Sequence, residues 1–306
     1  MEFRENGLVD FGELCEIFRC ETRAGEKGLD MTQKLTGKIA VVTGAGRGVG
    51  REIARSLAAC GAQVALVARS TDQLQETERL IAENGGIACV IPADVSTQTG
   101  VELVRKNVEN RLGRTDMLIN TAGAFGPIQM IKDSDPVRWI ETLTINTVAP
   151  YLMCRAFVAG MIEAGWGRIV NVTSAAALHP PGPLNSAYGT SKVALNQFTR
   201  HLAAELINTG VTANVIHPGD VKTDMWAAIR DGASLLGPEA AGYRAWVQWV
   251  DETGGDPPGK AADLILKLMG EESAEVSGRF LWIEDGLQAP IASWDTASDA
   301  QPGDDD

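Results

Sequence analysis

Ile39-Ala40-Val41-Val42-Thr43-Gly44-Ala45-Gly46-Arg47-Gly48-Val49-Gly50 is the stretch that decides how this chain is read. Its first five residues form an apolar, β-branched run of strand length. Glycines follow at 44, 46, 48 and 50, and a helical pattern over Val49–Cys60 begins at once. Glycine permits positive φ and close approach to the backbone. The start of a helix offers unpaired N–H groups and a partial positive charge. Strand, glycine turn and helix in that order therefore predict a pyrophosphate cradle built from Thr43, Gly44, Gly46, Arg47, Gly48, Val49 and Gly50. The spacing is T-G-x-x-x-G-x-G. The pattern G-x-G-x-x-G does not fit, because Val49 and Arg51 stand where its last glycine would fall. No Gly-Lys-Ser/Thr follows, so a P-loop is excluded.

Outward from this turn the same alternation continues. Short β-branched runs occur at Val64–Val67, Ala88–Ile91, Met117–Asn120, Arg168–Val172, Val211–Ile216 and Arg279–Ile283. Helical patterns lie between them, over Asp72–Asn84, Thr99–Leu112, Pro136–Glu163 and Ser186–Asn208. Strands alternating with helices predict right-handed crossovers and a doubly wound α/β fold, Rossmann-like, with helices on both faces of a parallel sheet. Ligands of such folds bind at the carboxyl ends of the strands. Residues 37–288 form the single domain on this reading. Residues 1–36 are charged and irregular and are expected to be a flexible extension, dispensable as far as Met31; residues 289–306 are expected to be a disordered acidic tail.

Composition narrows the function classes. Forty Asp and Glu against 27 Lys and Arg leave a net charge of -13, which disfavours nucleic acid and anionic membranes as partners. The five cysteines, 15, 20, 60, 89 and 154, include no C-x-x-C pair, and the three histidines lack ligand spacing, so neither a disulfide framework nor a metal site is expected. No stretch reads as long and apolar enough to cross a membrane, and no secretory signal is visible. The protein is expected in the cytoplasm.

A second-strand carboxylate is the usual partner of the ribose 2′-hydroxyl of NAD. Here that strand ends Val67-Ala68-Arg69-Ser70, with no carboxylate. Arg69 and Arg47 are expected to converge instead on a 2′-phosphate, which favours NADP over NAD.

The chemistry is carried further along. Tyr188 and Lys192 are four apart at the start of a predicted helix and share a face. Ser174 closes the fifth strand, and Asn146 lies midway in the preceding long helix. A free tyrosine has a pKa near about 10, and a nearby ammonium and an oxidised nicotinamide favour its phenolate. Ser174 can hydrogen-bond the reacting oxygen, and Asn146 can hold a water that links Lys192 to solvent. A Tyr-x-x-x-Lys pair alone is common on helix faces, but this one follows Thr173-Ser174 in order.

With these residues the chain resembles the short-chain dehydrogenase/reductase family in its compact, single-domain form, over about residues 35–288. The matching motifs are Thr43–Gly50, Asp94-Val95, Asn120-Thr121-Ala122-Gly123, Asn146, Ser174, Tyr188-Gly189-Thr190-Ser191-Lys192 and Pro218-Gly219 with Thr223. The resemblance implies a seven-stranded sheet and a catalytic tetrad of Asn146, Ser174, Tyr188 and Lys192. It implies that Asp94 and Val95 contact the adenine. Ser70, Asn120, Ala122 and Gly123 join the cofactor set on the same ground. Tyr188 and Lys192 also contact the cofactor, and Pro218, Gly219, Val221 and Thr223 lie along its nicotinamide. One departure is Thr121, where the family usually has Asn; a minor effect on the central strand is expected.

The implied activity is interconversion of a ketone and a secondary alcohol with NADP(H). The rivals are a sugar-nucleotide epimerase or dehydratase, whose glycine pattern Arg47 breaks; a 3-oxoacyl carrier-protein reductase docking through Arg168 and Lys132; and a non-catalytic dinucleotide sensor, which predicts a lost Tyr or Lys. Residues 222–258 are expected to form a substrate lid, with Trp226, Leu235, Leu236, Tyr243, Trp246 and Trp249 over an apolar pocket, five carboxylates making it acidic, and glycine hinges. His217 is read as structural, and His179 as a possible substrate contact. Apolar surface on the helices over 136–163 and 186–208 points to a homotetramer or homodimer.

Overall fold

The computed structural model describes residues 35–284 and 287–288; the expectations for residues 1–34 and for the tail from 289 onward lie outside the described residues. One parallel sheet of seven strands runs in the order β3-β2-β1-β4-β5-β6-β7. The strands are β1 (Ile39–Thr43), β2 (Gln63–Ala68), β3 (Ile87–Pro92), β4 (Met117–Asn120), β5 (Gly167–Val172), β6 (Val211–Ile216) and β7 (Phe280–Leu281). The helices are α1 (Gly48–Ala59), α2 (Thr71–Glu83), α3 (Gln98–Arg111), α4 (Pro136–Leu143), α5 (Ala149–Glu163), α6 (Ser186–Glu205), α7 (Asp224–Ser234), α8 (Ala241–Thr253) and α9 (Pro258–Met269).

The alternation along β1 shows why both faces are covered. Ala40 and Val42 enter a core shared with α1, α2 and α9, while Ile39 and Val41 enter a second core with α3, α5 and α6. Successive strand side chains point to opposite faces, so a strand apolar at every position has to be buried on both. The chain winds outward from β1 to β3, returns to pair β4 with β1, and winds the other way. The connections that follow β1 and β4 lead to opposite sides of the sheet, and a crevice forms at that switch point.

The helix expected over 136–163 runs its full length, with Thr144–Val148 as a π-helical turn between α4 and α5 and Asn146 fully buried in it. Such insertions mark functional sites often. Contrary to expectation, the 28-residue span Pro136–Glu163 is long and apolar enough to cross a membrane, at a mean hydropathy of 1.3. Its apolar residues have a use inside the protein: Met153, Cys154, Phe157 and Met161 are buried against β4, β5 and α3.

Residues 222–258 are helical. Thr223 caps α7 by accepting from the Trp226 amide at 3.4 Å. Arg244 on α8 donates to the carbonyls of Ala233, Leu236 and Gly237 at 3.1–3.2 Å and so ties the two helices into a hairpin.

Candidate functional site

The glycine turn is tight because backbone passes backbone. Gly44 has φ +67°, and a Cβ there would stand 2.9 Å from the Ala122 amide. A Cβ at Gly50 would overlap the Gly44 carbonyl and the Thr121 hydroxyl. The Ala122 amide donates to the Thr43 hydroxyl at 3.2 Å, and Thr121 Oγ1 donates to the Thr43 carbonyl. Thr121 is thus a working part of the contact between β1 and β4, closer to the turn than its reading as a minor departure implies. Helix α1 begins at Arg47 with no side-chain cap and no acidic residue in its first turn. Its leading amides and positive end are therefore left for an anion. Gly48 faces Thr223, whose methyl would lie 3.4 Å from an added Cβ, so the turn and the segment after β6 share one crevice.

At the end of β2, Arg69 and Ser70 are exposed. Arg69 helps to hold the Asp94 carboxyl below its usual value, after the larger effect of the Ser96 hydroxyl that donates to it at 2.6 Å. Arg47 does not join Arg69. Its guanidinium donates to Asp224 at the head of α7, so the expected convergence of the two arginines is replaced by an ion pair across the crevice.

The tetrad residues come together at the carboxyl ends of β4 and β5. Lys192 is almost fully buried, and its Nζ donates to the Val172 carbonyl at 2.9 Å, 5.6 Å from the centre of the Tyr188 ring. Burial pulls the Lys192 ammonium down to about 8. Burial pushes the Tyr188 phenol up, partly offset by a hydrogen bond with the Ser174 side chain, while Asp220 adds to the rise. The direction is opposite to the phenolate stabilisation expected from Lys192. A buried phenol beside a hydrogen-bonding serine stays protonated at neutral pH, the state required of a proton donor.

Asn146 is held by the π turn. Its Oδ1 accepts from the Ala124 amide at 2.8 Å, and its Nδ2 donates to the Ala124 carbonyl at 2.8 Å and to Ser191 Oγ at 2.9 Å. Ser191 Oγ in turn donates to the Tyr188 carbonyl at 2.7 Å. Both amide protons are engaged, so the side chain acts as a brace between the loop after β4 and helix α6. A Cβ on Gly123 would be 3.3 Å from Asn146 Oδ1 and 3.8 Å from Lys192 Nζ, which puts Gly123 against both. Asn120 points the other way, donating to Asn171 Oδ1 at 2.8 Å beneath the site.

Several residues were not singled out by the motifs. Phe125 lies over Tyr188 with ring centroids 4.6 Å apart and meets Tyr243 edge-on at 5.9 Å. Tyr243 is pushed up to about 12 by burial, with a hydrogen bond to Asn185. Ser191 was inside a quoted motif yet carried no role. Phe125 sits two residues beyond a quoted motif, which was its only signal. Leu235 and Trp249, two of the residues assigned to a pocket cover, are exposed, whereas Trp226 is buried with Ile229, Val247 and Val250. The acidity of the segment is largely neutralised: Asp224, Asp231, Asp251 and Asp256 each pair with a Lys or Arg. A groove of about 510 Å³ lies between α7 and α8, lined by Arg230, Arg244 and Glu252 among others, and includes none of the tetrad. Among the described residues no cluster of His, Cys, Asp and Glu could hold a metal ion.

Comparison with known proteins agrees with this geometry. The model of the short chain dehydrogenase family matches residues 38–234. A short chain dehydrogenase of Pseudocercospora fijiensis is 36% identical over 196 residues, and the match spans 63% of this chain and 63% of that protein. The 3-oxoacyl-(acyl-carrier-protein) reductase FabG of Vibrio harveyi is 32% identical over 83% of this chain and 98% of its own length. Among solved structures, actinorhodin polyketide ketoreductase with NADPH is 29% identical with a TM-score of 0.73, covering 80% of this chain and 95% of that one. NAD⁺-bound xylitol dehydrogenase is 27% identical with a TM-score of 0.75, covering 83% and 100%. The chain belongs to the short-chain dehydrogenase/reductase family, oxidoreductases that bind NAD(P) and act on CH–OH or ketone groups.

Proposed function

We propose that the chain is an NADP(H)-preferring enzyme that interconverts a ketone and a secondary alcohol, with Tyr188 as proton donor and acceptor. The observation that carries this is the convergence of three groups: the buried Tyr188 phenol, hydrogen-bonded with Ser174, and the buried Lys192 ammonium beside its ring. When bound, the reduced cofactor supplies the hydride. Ser174 orients the carbonyl oxygen, and Tyr188 delivers a proton to that oxygen as charge builds on it. Lys192 stabilises the phenolate left behind, and Asn146 with Ser191 fixes the helix that carries both Tyr188 and Lys192.

Gly44–Gly50 and the open end of α1 would hold the pyrophosphate, Asp94 and Val95 the adenine, and Pro218–Thr223 the nicotinamide side. The preference for NADP rests on Arg69 at the end of a strand that carries no carboxylate there. NADPH accompanies the actinorhodin ketoreductase and NAD⁺ the xylitol dehydrogenase, so both remain chemically within reach of the fold.

The substrate reading is a bulky, apolar or aromatic carbonyl, supported by the Phe125–Tyr188–Tyr243 ring cluster and by Trp226, Ile229 and Val247 behind it. Helices α7 and α8 are its lid. Carrier-protein reduction loses one of its two docking residues: Arg168 is buried, stacked 4.6 Å from the Trp166 ring, and donates to the Gly167 and Gly210 carbonyls, while Lys132 stays exposed beside Asp133. Exposed Val137 and Ile140 on α4, Tyr151 and Ile162 on α5 and Val193 on α6 support a homodimer or homotetramer. The cytoplasmic assignment is supported by the free, buried thiols of Cys89 and Cys154. The test is a screen of ketones and alcohols with NADP(H) and NAD(H). Aromatic ketones with NADPH are expected to give the highest kcat/KM. Turnover confined to small anionic carbonyls, or equal use of NADH, contradicts the proposal.

A further inference from the structure

His217 sits where β6 ends, immediately before Pro218, and its backbone is fixed to the sheet: its amide donates to the Leu281 carbonyl at 2.9 Å. Its ring reaches across to the end of β5. There Nδ1 accepts a hydrogen bond from the Ala175 amide at 3.2 Å. Ala175 is the residue after Ser174 and opens the 3₁₀ turn Ala175–Ala177, which Ser174 caps by accepting from the Ala176 amide at 3.2 Å. Two hydrogen bonds therefore hold the turn that carries Ser174, and one of them is accepted by an imidazole.

We infer that His217 is a positioning residue for Ser174, whose neutral ring holds the Ala175 amide and whose protonation in acid releases the turn and slows turnover. The inference rests on the proposed ketone chemistry of Ser174 and Tyr188. An imidazole nitrogen accepts only while it lacks a proton, so acceptance at Nδ1 places the single ring proton on Nε2. Protonation would set an N–H of the ring against the N–H of Ala175, and one of them has to move. The ring has little freedom to do so, since Trp282 packs edge-on to it at 5.1 Å and also stacks with His179 at 6.1 Å.

The charged surroundings come from four segments. Asp220 follows β6, Asp256 precedes α9 and Glu284 follows β7; all three favour the protonated ring. His179, in the loop after β5, opposes it. Burial outweighs them and holds His217 below the usual histidine value. The ring is then neutral at pH 7 and charges only below about 6.5. A proton donor such as Tyr188 gains nothing to lose in acid, so a fall in ketone reduction on that side needs another group.

The test compares His217→Asn, which retains a short acceptor, with His217→Leu, which has none. Wild-type ketone reduction is expected to fall below about pH 6.5. His217→Asn is expected to keep the plateau rate within about threefold and to lose that acid limb. His217→Leu is expected to lose up to about tenfold in kcat at every pH, with cofactor Kd within about twofold. Histidine NMR of the wild-type protein supplies a readout independent of turnover: the His217 ring should be the Nε2–H tautomer and titrate below the unperturbed value. An acid limb that persists unchanged in His217→Asn, full kcat in His217→Leu, or an Nδ1–H tautomer overturns the inference. If His217→Leu does not fold, the Asn profile and the tautomer decide alone. Failure of the ketone chemistry itself would show separately, as turnover that survives Tyr188→Phe.

Discussion

The glycine turn after β1 and the helical hairpin after β6 border the same crevice, joined where Gly48 meets Thr223 and Arg47 pairs with Asp224, yet different forces shape them. In the turn, backbone lies on backbone: Gly44 has positive φ, and neither Gly44 nor Gly50 has space for a Cβ. In the hairpin, side chains do the shaping. Trp226, Ile229, Val247 and Val250 make a small core of their own, and Arg244 ties the helix ends. The first kind of structure leaves a spaced motif, because only one residue type fits each position. The second leaves composition without spacing, because many apolar side chains of suitable volume fill the same core. Cofactor handling is thereby readable from the chain, whereas substrate choice is written in packing.

The largest expected effect on the cofactor side is at Lys192. Lys192→Met should lower kcat/KM for ketone reduction by roughly 10³-fold, or about 4 kcal/mol of transition-state stabilisation. In the wild-type protein the Lys192 ammonium, brought down to about 8 by burial, loses its proton as the pH rises through that value, and the rate should decline with it. The Met variant should show no such basic limb; an identical profile would separate Lys192 from the chemistry. Next in size is Gly50→Val, which drives a branched side chain into the Gly44 carbonyl and Thr121. It should cost about 3 kcal/mol and lower Tm by roughly 6–12 °C, with loss of cofactor binding. A matching substitution of exposed Leu235 in the hairpin should leave Tm within about 2 °C. Equal effects at the two sites would erase the contrast between backbone-limited and packing-limited regions.

This contrast sets what the amino-acid sequence can reveal. β1, β4 and β6 have the expected bounds, since their apolar runs end at residues that leave the sheet. The tetrad was legible because Tyr188 and Lys192 have a fixed helical spacing. The π turn in the long helix was not, although Pro150 just beyond it lacks an N–H for the Asn146 carbonyl; the contacts that bury Asn146 with Ala124 and Ser191 then hold the turn. Phe125 was hidden because its pairing with Tyr243, a residue named for the lid, joins segments more than a hundred residues apart. Arg168 shows the reverse error: it is a cation that seemed free for an anionic ligand, and it is engaged with the backbone around Gly167.

The smallest expected effect sharpens the cofactor half. Arg69→Asp should reduce kcat/KM with NADPH by about 10- to 100-fold, the range for losing a charge-assisted hydrogen bond. It should leave NADH use unchanged or improved, because a carboxylate at that position can accept from a ribose 2′-hydroxyl. Arg47→Ala should change the preference much less, since that guanidinium is occupied by Asp224. If Arg47→Ala proves the more damaging of the two, the ion pair gives way to the cofactor and the assignment of Arg69 is wrong.

The central claim is that Tyr188 supplies the proton. Tyr188→Phe keeps the ring that packs 4.6 Å from Phe125 and removes only the hydroxyl. The decisive measurement is kcat for ketone reduction by this variant beside its NADPH Kd. The account predicts kcat lowered by at least about 10³-fold with Kd within about twofold of wild type. A variant that binds NADPH normally and keeps more than about a tenth of kcat would show that another group is the acid.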